Sequence, residues 1–245
     1  MQEIYTIPIN EAFDMGVEDK SCGCPICALY RMLEETSLDT AMGGSMMEPS
    51  VRIRMNDEGF CKAHYDMLFE MKNRLGMALT LESHLNELKE SLSPKGLASI
   101  LPKNPIPTLE RLDNSCYICN RVNQHFGMML DVVITLWLKD EAFPKKLRGQ
   151  PYFCLPHYRM LLERAKNTLP RKSYSDFEKD LKGVVNAYLE ELSEDVSWFC
   201  KKFDYNYENE PWYNSKDAVE RAIIFLRSDL HHPQKKKIRS FGGLC

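Results

Sequence analysis

Two matching sets of cysteine and histidine residues constrain this chain of 245 residues more than any other feature. Each set reads C-x-x-C, then a long gap, then C-x-x-H. The first set is Cys24, Cys27, Cys61 and His64, and the second is Cys116, Cys119, Cys154 and His157. Matching members lie 92, 92, 93 and 93 residues apart. Three thiols and one imidazole are a tetrahedral ligand set for zinc. We therefore predict two zinc ions per chain, one held by each set.

The similarity of the two halves extends beyond these ligands. The segment GFCKAHYDMLFEMKNRLGMAL at 59–79 resembles YFCLPHYRMLLERAKNTLP at 152–170. Self-similarity at a long fixed period indicates a duplicated structural unit. We predict a first metal-binding repeat over 1–95, a second over 96–172, and C-terminal helices with a basic tail over 173–245, together forming one compact domain.

Apolar residues recur at helical spacing along most of the chain, and no segment shows the sustained alternation of a strand. The pattern predicts a helix that starts near Pro25, a short helix from Ser50, and longer helices over about 60–92 and 118–138. A further helix is predicted to start at Ser173, and a last one spans about 215–230. The predicted fold is all-α.

Other interpretations of the two cysteine–histidine sets remain open. Lone buried cysteines and histidines are common in protein cores, but eight in two matching sets disfavour that explanation. Iron–sulfur clusters also use cysteine, with histidine as an occasional substitute, and spacing does not exclude them. Catalytic zinc usually keeps an open coordination position. Four protein ligands in each set therefore favour a structural role over a catalytic one.

Two features lie outside the sets. Cys22 precedes the first C-x-x-C, whereas Asn114 takes the matching place in the second half. Cys22 is either a spare thiol that reacts or exchanges as a ligand, or an ordinary cysteine.

The segment 198–213 holds seven aromatic residues interleaved with acids. It either lines a pocket for a small ligand or peptide, or packs the last helix onto the bundle.

Composition narrows the function classes. The formal net charge is −3, and the one basic cluster lies at 235–239, so the charge balance argues against nucleic acid as a partner. The longest mostly apolar stretch, 128–138, is too short to cross a bilayer. The N-terminus lacks the pattern of a secretory signal. Nine cysteines without such a signal favour metal binding in a reducing compartment, so we expect a cytoplasmic protein with no membrane association.

The combined motifs resemble an uncharacterised family of helical, cysteine-rich bacterial proteins of Firmicute type, a domain of unknown function. The matching pieces are CPIC at 24–27, GFCKAH at 59–64, CYIC at 116–119, FCLPH at 153–157 and KFDY at 202–205. The resemblance covers most of the chain. It implies a cytoplasmic bacterial protein that keeps both metal sites, and it implies no particular activity.

Three functions agree with these patterns. The first is a metal-bound helical scaffold that binds an unidentified protein or small molecule. The second is a redox- or metal-responsive protein that loses an ion when its thiolates are oxidised. The third, a metalloenzyme, ranks last because each set fills four coordination positions. No catalytic residue is predicted, since the usual nucleotide-binding, hydrolase and metalloprotease motifs are absent from the sequence.

Overall fold

The structure, a computed structural model, describes residues 3–92 and 104–230. Eleven α-helices account for most of this part of the chain, which contains no strand. Their bounds are α1 Glu3–Glu18, α2 Pro25–Met42, α3 Pro49–Glu58, α4 Lys62–Glu70, α5 Arg74–Leu92, α6 Ile106–Asn114, α7 Tyr117–Lys139, α8 Phe143–Arg148, α9 Leu155–Thr168, α10 Arg171–Lys201 and α11 Ala218–Arg227. The all-α prediction is confirmed. None of the described helices is long and apolar enough to span a membrane.

Several predicted helices differ in their bounds. The helix predicted over about 60–92 is two helices, α4 and α5, and Lys72 in the break has a φ of 65°. A residue with that left-handed backbone cannot continue a right-handed helix. Helices α1, α6 and α8 were not predicted from the sequence. The basic cluster at 235–239 lies outside the described residues.

The described chain forms two compact units. The larger unit contains the described residues up to Arg31 and from Phe126 onward. Helix α10 packs there against α8, α9 and α11, and α1 packs against α8. Phe13 of α1 lies 4.8 Å from Phe143 and 6.2 Å from Phe153, measured between ring centroids. These three rings are fully buried, so they form part of an apolar core beside the chain that leads to Cys154.

The smaller unit covers residues 32–125. Helix α3 packs against α5 and α6, and α4 packs against α5. Arg52 of α3 donates hydrogen bonds to the carbonyl oxygens of Met46 and Leu79, which ties α3 to α5. Met55 and Leu68 are almost fully buried and contribute to its core.

The two units follow spatial contacts, whereas the predicted segments 1–95, 96–172 and 173–245 follow sequence similarity. The unit boundaries fall within α2 and within α7. They therefore cut across both predicted repeats, and the proposed duplication remains a prediction about the sequence.

Candidate metal centres

The eight predicted ligands gather in two clusters, but the members are exchanged between the sequence sets. The Cys24 cluster contains Cys24, Cys27, Cys154 and His157. The Cys61 cluster contains Cys61, His64, Cys116 and Cys119. Each C-x-x-C therefore meets the C-x-x-H of the other half. The prediction that each sequence set forms its own site is wrong in this respect. Each cluster lies within one compact unit: the Cys24 cluster in the larger and the Cys61 cluster in the smaller.

The physical reason for this exchange is the path of the chain. Residues after Cys61 fold as α4, α5 and α6, and the chain then returns beside Gly59, whose carbonyl oxygen accepts a 2.9 Å hydrogen bond from the backbone N–H of Tyr117. The Ser115 hydroxyl also donates a 2.6 Å bond to the Glu58 carbonyl oxygen. These bonds place the second C-x-x-C against the first C-x-x-H.

In the Cys24 cluster, the donor atoms approach one another closely. The Nδ1 atom of His157 lies 3.1 Å from Cys154 Sγ, 3.4 Å from Cys27 Sγ and 3.8 Å from Cys24 Sγ. The Sγ atoms of Cys27 and Cys154 are 3.7 Å apart. All four residues are buried.

The Cys61 cluster repeats this arrangement. The Nδ1 atom of His64 lies 3.1 Å from Cys61 Sγ, 3.3 Å from Cys116 Sγ and 3.4 Å from Cys119 Sγ. The Sγ atoms of Cys61 and Cys119 are 3.9 Å apart. His64 and Cys116 are buried, whereas Cys61 and Cys119 are partly exposed.

These distances fit one tetrahedral ion in each cluster. Zinc bonds of about 2.3 Å to sulfur and about 2.0 Å to nitrogen, at the tetrahedral angle, separate two sulfurs by about 3.8 Å and a sulfur from a nitrogen by about 3.5 Å. In each cluster, the four donor atoms lie within 4.8 Å of one another. A multi-iron cluster binds its ligands on different iron atoms and needs room for sulfides between them. The two Cys/His groups can therefore hold metal ions, and their spacing suits single ions.

The local fold places a helix N-terminus at every ligand pair. Cys61 and Cys154 are the residues that cap α4 and α9, and their carbonyl oxygens accept 2.9 Å hydrogen bonds from Tyr65 and Tyr158. Cys24 and Cys116 directly precede α2 and α7. Two helix N-termini therefore face each cluster, and their partial positive charges favour thiolates there.

Ionisation in the Cys61 cluster is uneven. The pKa of Cys116 falls to about 3, chiefly because Cys119 donates a hydrogen bond to it. Burial alone would raise this pKa, but a hydrogen bond from His64 also lowers it. The pKa of Cys119 rises, because its thiol bonds to Cys116 and is desolvated. Burial alone would lower the pKa of His64, but hydrogen bonds to Cys116 and Glu34 outweigh it and raise that pKa to about 10.

The Cys24 cluster shows the same imbalance. Burial opposes ionisation of Cys24, yet hydrogen bonds with Cys154 and Cys27 bring its pKa well below the ordinary value. The pKa values of Cys27 and Cys154 rise, in each case chiefly through a hydrogen bond to another cysteine of the cluster. Three thiolates this close repel one another. A bound divalent cation allows all three to ionise together, as metal ligation requires.

A buried carboxylate supports one histidine. Oε1 of Glu34, on α2, lies 3.1 Å from Nε2 of His64, and both side chains are almost fully buried. Metal-binding histidines commonly donate a hydrogen bond from the N–H of their second ring nitrogen to a carboxylate, which fixes the tautomer and orients the ring. No sequence pattern points to Glu34. In the other cluster, the ring of His157 packs 5.4 Å from that of Phe126.

Two glycines beside the clusters have left-handed backbones that other residues rarely adopt. Gly23 precedes Cys24 with a φ of 76°, and a Cβ atom there would lie 3.0 Å from the hydroxyl oxygen of Tyr152. Gly59 has a φ of 60° and ends α3 two residues before Cys61. Cys22 ends the 3₁₀ turn Lys20–Cys22 and belongs to neither cluster, so its role stays a prediction.

The aromatic segment near the end of α10 lies in the larger unit. Its seven aromatic residues are at least partly exposed, and they pack largely on one another. Lys202, the first residue of the KFDY motif, is buried. Its ammonium group donates hydrogen bonds to the carbonyl oxygens of Tyr207, Glu208 and Glu210 at 2.6, 2.8 and 2.6 Å. Asp204 accepts a 2.9 Å bond from the backbone N–H of Asn206. The motif therefore builds this loop.

Searches of curated proteins and of solved structures find no match for the chain. A family model covers residues 1–233, which include both clusters and the KFDY motif. The chain belongs to the family of unknown function DUF6062.

Proposed function

We propose that this protein is a zinc-bound helical scaffold, with one structural zinc ion in each cluster. The observation that supports this most is the donor geometry: each cluster presents three sulfurs and one nitrogen at the spacing of a single tetrahedral ion. Four protein donors complete the coordination shell and leave no position for a substrate. A structural role follows from that closure.

Sequence separation gives the ions a stabilising role. Contacts in the Cys24 cluster join residues 127 to 133 positions apart, and those between the two halves of the Cys61 cluster join residues 52 to 58 apart. Closing such loops lowers the conformational entropy of the unfolded chain. For a covalent link across loops of these sizes, this stabilises the fold by about 4 to 5 kcal/mol. Metal binding adds its own affinity to the free energy of folding.

Metal content and an absorption spectrum, measured on protein purified without oxygen, test this proposal. We expect two zinc ions per chain and no visible absorption. A brown protein with iron and inorganic sulfide would instead support the iron–sulfur alternative. A coloured protein with iron but no sulfide would indicate single iron ions at the same ligands.

One observation favours a second candidate function, a redox-responsive site. Cys61 and Cys119 are both partly exposed, and their sulfurs lie 3.9 Å apart. Hydrogen peroxide can oxidise these two thiolates to one disulfide and is itself reduced, with two protons, to two water molecules. The zinc ion then loses two ligands and is released. The cysteines of the Cys24 cluster are all buried, so oxidation there needs local opening.

Mild peroxide treatment separates the two candidates. A redox-responsive protein releases one zinc ion quickly, together with a Cys61–Cys119 disulfide that mass spectrometry detects. Thioredoxin or dithiothreitol then restores zinc binding. A purely structural protein releases both ions slowly and together, as the fold is lost.

The identity of the partner, the cytoplasmic location and the bacterial origin remain predictions. We propose a protein or small-molecule partner for the scaffold, and no nucleic acid, because the net charge of −3 offers phosphates no general attraction.

A further inference from the structure

Three aromatic side chains project into solvent at the end of α10. Phe203, Tyr205 and Tyr213 are 76%, 84% and 70% exposed. In the same segment, Trp198 is flanked edge-on by Tyr207 and Tyr213, with ring centroids 5.8 and 5.3 Å away. We call these five residues the aromatic surface. Exposed tyrosine, tryptophan and phenylalanine side chains are typical of sites that bind proteins.

Specific contacts hold this surface in place. The three hydrogen bonds from the buried Lys202 ammonium fix the loop that carries the rings. The indole N–H of Trp198 donates a 3.0 Å bond to the Pro211 carbonyl oxygen. Rings that are already positioned lose little conformational entropy when a partner binds.

The charge around the rings is mainly negative. Exposed acidic residues lie beside or between the aromatic residues, namely Glu194, Asp204, Glu208 and Glu210. In the part of the chain that the structure describes, Glu194, Glu208 and Glu210 make no ion pair. The Lys202 ammonium is occupied by carbonyl oxygens, whereas the neighbouring Lys201 is exposed.

Lys201 places a cation beside the ring of Trp198. Its ammonium nitrogen lies 6.0 Å from the ring centroid of Trp198, at the outer limit of a cation–π contact. A groove of about 470 Å³ opens at this place and is lined by Glu194, Asp195, Trp198, Lys201 and Tyr213, with Ser193 and Ser197. Asp195 is already paired with Arg221, so Glu194 offers the unpaired carboxylate.

We propose that the aromatic surface binds a basic peptide segment of a protein partner. An arginine or lysine of that segment enters the groove, lies against the face of Trp198 and displaces Lys201. The flanking acids attract the remaining basic residues, while Phe203 and Tyr205 contact the apolar parts of the segment. This inference names the partner chemistry of the proposed scaffold and rests on that function.

Fluorescence anisotropy with a labelled peptide, in which three arginines alternate with glycines, tests the proposal. The same peptide with glutamate in place of arginine is the control. We expect the arginine peptide to bind, binding to weaken as salt is raised, and the glutamate peptide not to bind. Equal binding of the two peptides, or none of either, overturns the proposal.

Variants locate the site. Lys201→Ala removes the internal competitor and a like charge, so the arginine peptide should bind about twofold to fivefold more tightly. Lys182→Ala removes an exposed lysine elsewhere on α10 and should leave affinity unchanged. Trp198→Ala should weaken binding at least about fivefold. A gain of affinity cannot come from misfolding, so Lys201→Ala keeps the test decisive even if Trp198→Ala unfolds. Equal effects of the two lysine variants contradict the proposal.

Two further measurements complete the design. Free arginine is added as a competitor: if it displaces the peptide as well as unlabelled peptide does, the groove takes a small cation and the peptide proposal is wrong. Zinc content is measured on the same samples. If the wild-type protein contains both zinc ions but does not bind the arginine peptide, only the docking surface is refuted. If the wild-type protein contains no zinc, the scaffold proposal is refuted.

Discussion

Replacing Glu34 by glutamine should weaken zinc binding in the Cys61 cluster and leave the Cys24 cluster unchanged. The carboxylate lies 3.1 Å from Nε2 of His64, and both groups are excluded from water. Glutamine has the same shape, but its neutral oxygen is a weaker acceptor and no longer favours the tautomer that binds metal through Nδ1. Loss of such supporting carboxylates costs about tenfold to 100-fold in metal affinity, or roughly 1.4 to 2.7 kcal/mol.

Zinc transfer to a chromophoric chelator measures this effect. The wild-type protein should release its ions in two steps, and a Cys61→Ser variant identifies the step of each cluster. Glu34→Gln should move only the Cys61 step to lower chelator concentration. The control is Glu35→Gln, which changes an exposed neighbour on the same helix. The assigned role of the carboxylate is refuted if Glu34→Gln leaves both steps at the chelator concentrations of the wild-type protein, or if it shifts both steps equally.

Four further changes test the fold. Gly16→Ala should destabilise the fold by about 1 to 3 kcal/mol, because its Cβ would clash with Oε1 of the buried Gln150. Gly183→Ala, with nothing within 4 Å of its Cβ, should stabilise the fold by about 0.5 to 1 kcal/mol. Chemical denaturation measures both changes. Lys202→Met should cost about 2 kcal/mol or more and raise hydrogen exchange in the loop at 204–211, because three carbonyl oxygens lose a charged donor. Chelation of both ions should lower helicity in circular dichroism, and rebinding of zinc should release protons; unchanged helicity would show that the core is stable without metal.

The identity of the candidate ligands was accessible from the sequence, but their grouping was not. The residue types and spacings selected all eight members of the two clusters. Because both halves carry the same motifs, either C-x-x-C is chemically suited to either C-x-x-H. The choice depends on where the chain returns after α6, through bonds such as that from Tyr117 to Gly59, and no local pattern encodes that return.

Other features were hidden for similar reasons. Apolar periodicity predicted α7 within one residue at each end, since a long amphipathic helix has a clear pattern. The break at Lys72 depends on one left-handed residue that the sequence does not mark with glycine. Glu34 resembles any other glutamate on a helix, and its role depends on the position of His64, 30 residues further along the chain.

Metal content of paired cysteine variants tests the grouping of the ligands most directly. Cys24→Ser with Cys154→Ser removes two ligands of one cluster, so this protein should retain one zinc ion. Cys24→Ser with Cys61→Ser removes one ligand from each cluster and should leave both sites impaired, with no tightly bound zinc. Each single variant, measured alongside, should retain one ion. The opposite result would be one zinc ion in the double variant of Cys24 and Cys61, and none in the double variant of Cys24 and Cys154. That result would show that each sequence set forms its own site, and it would contradict the structure.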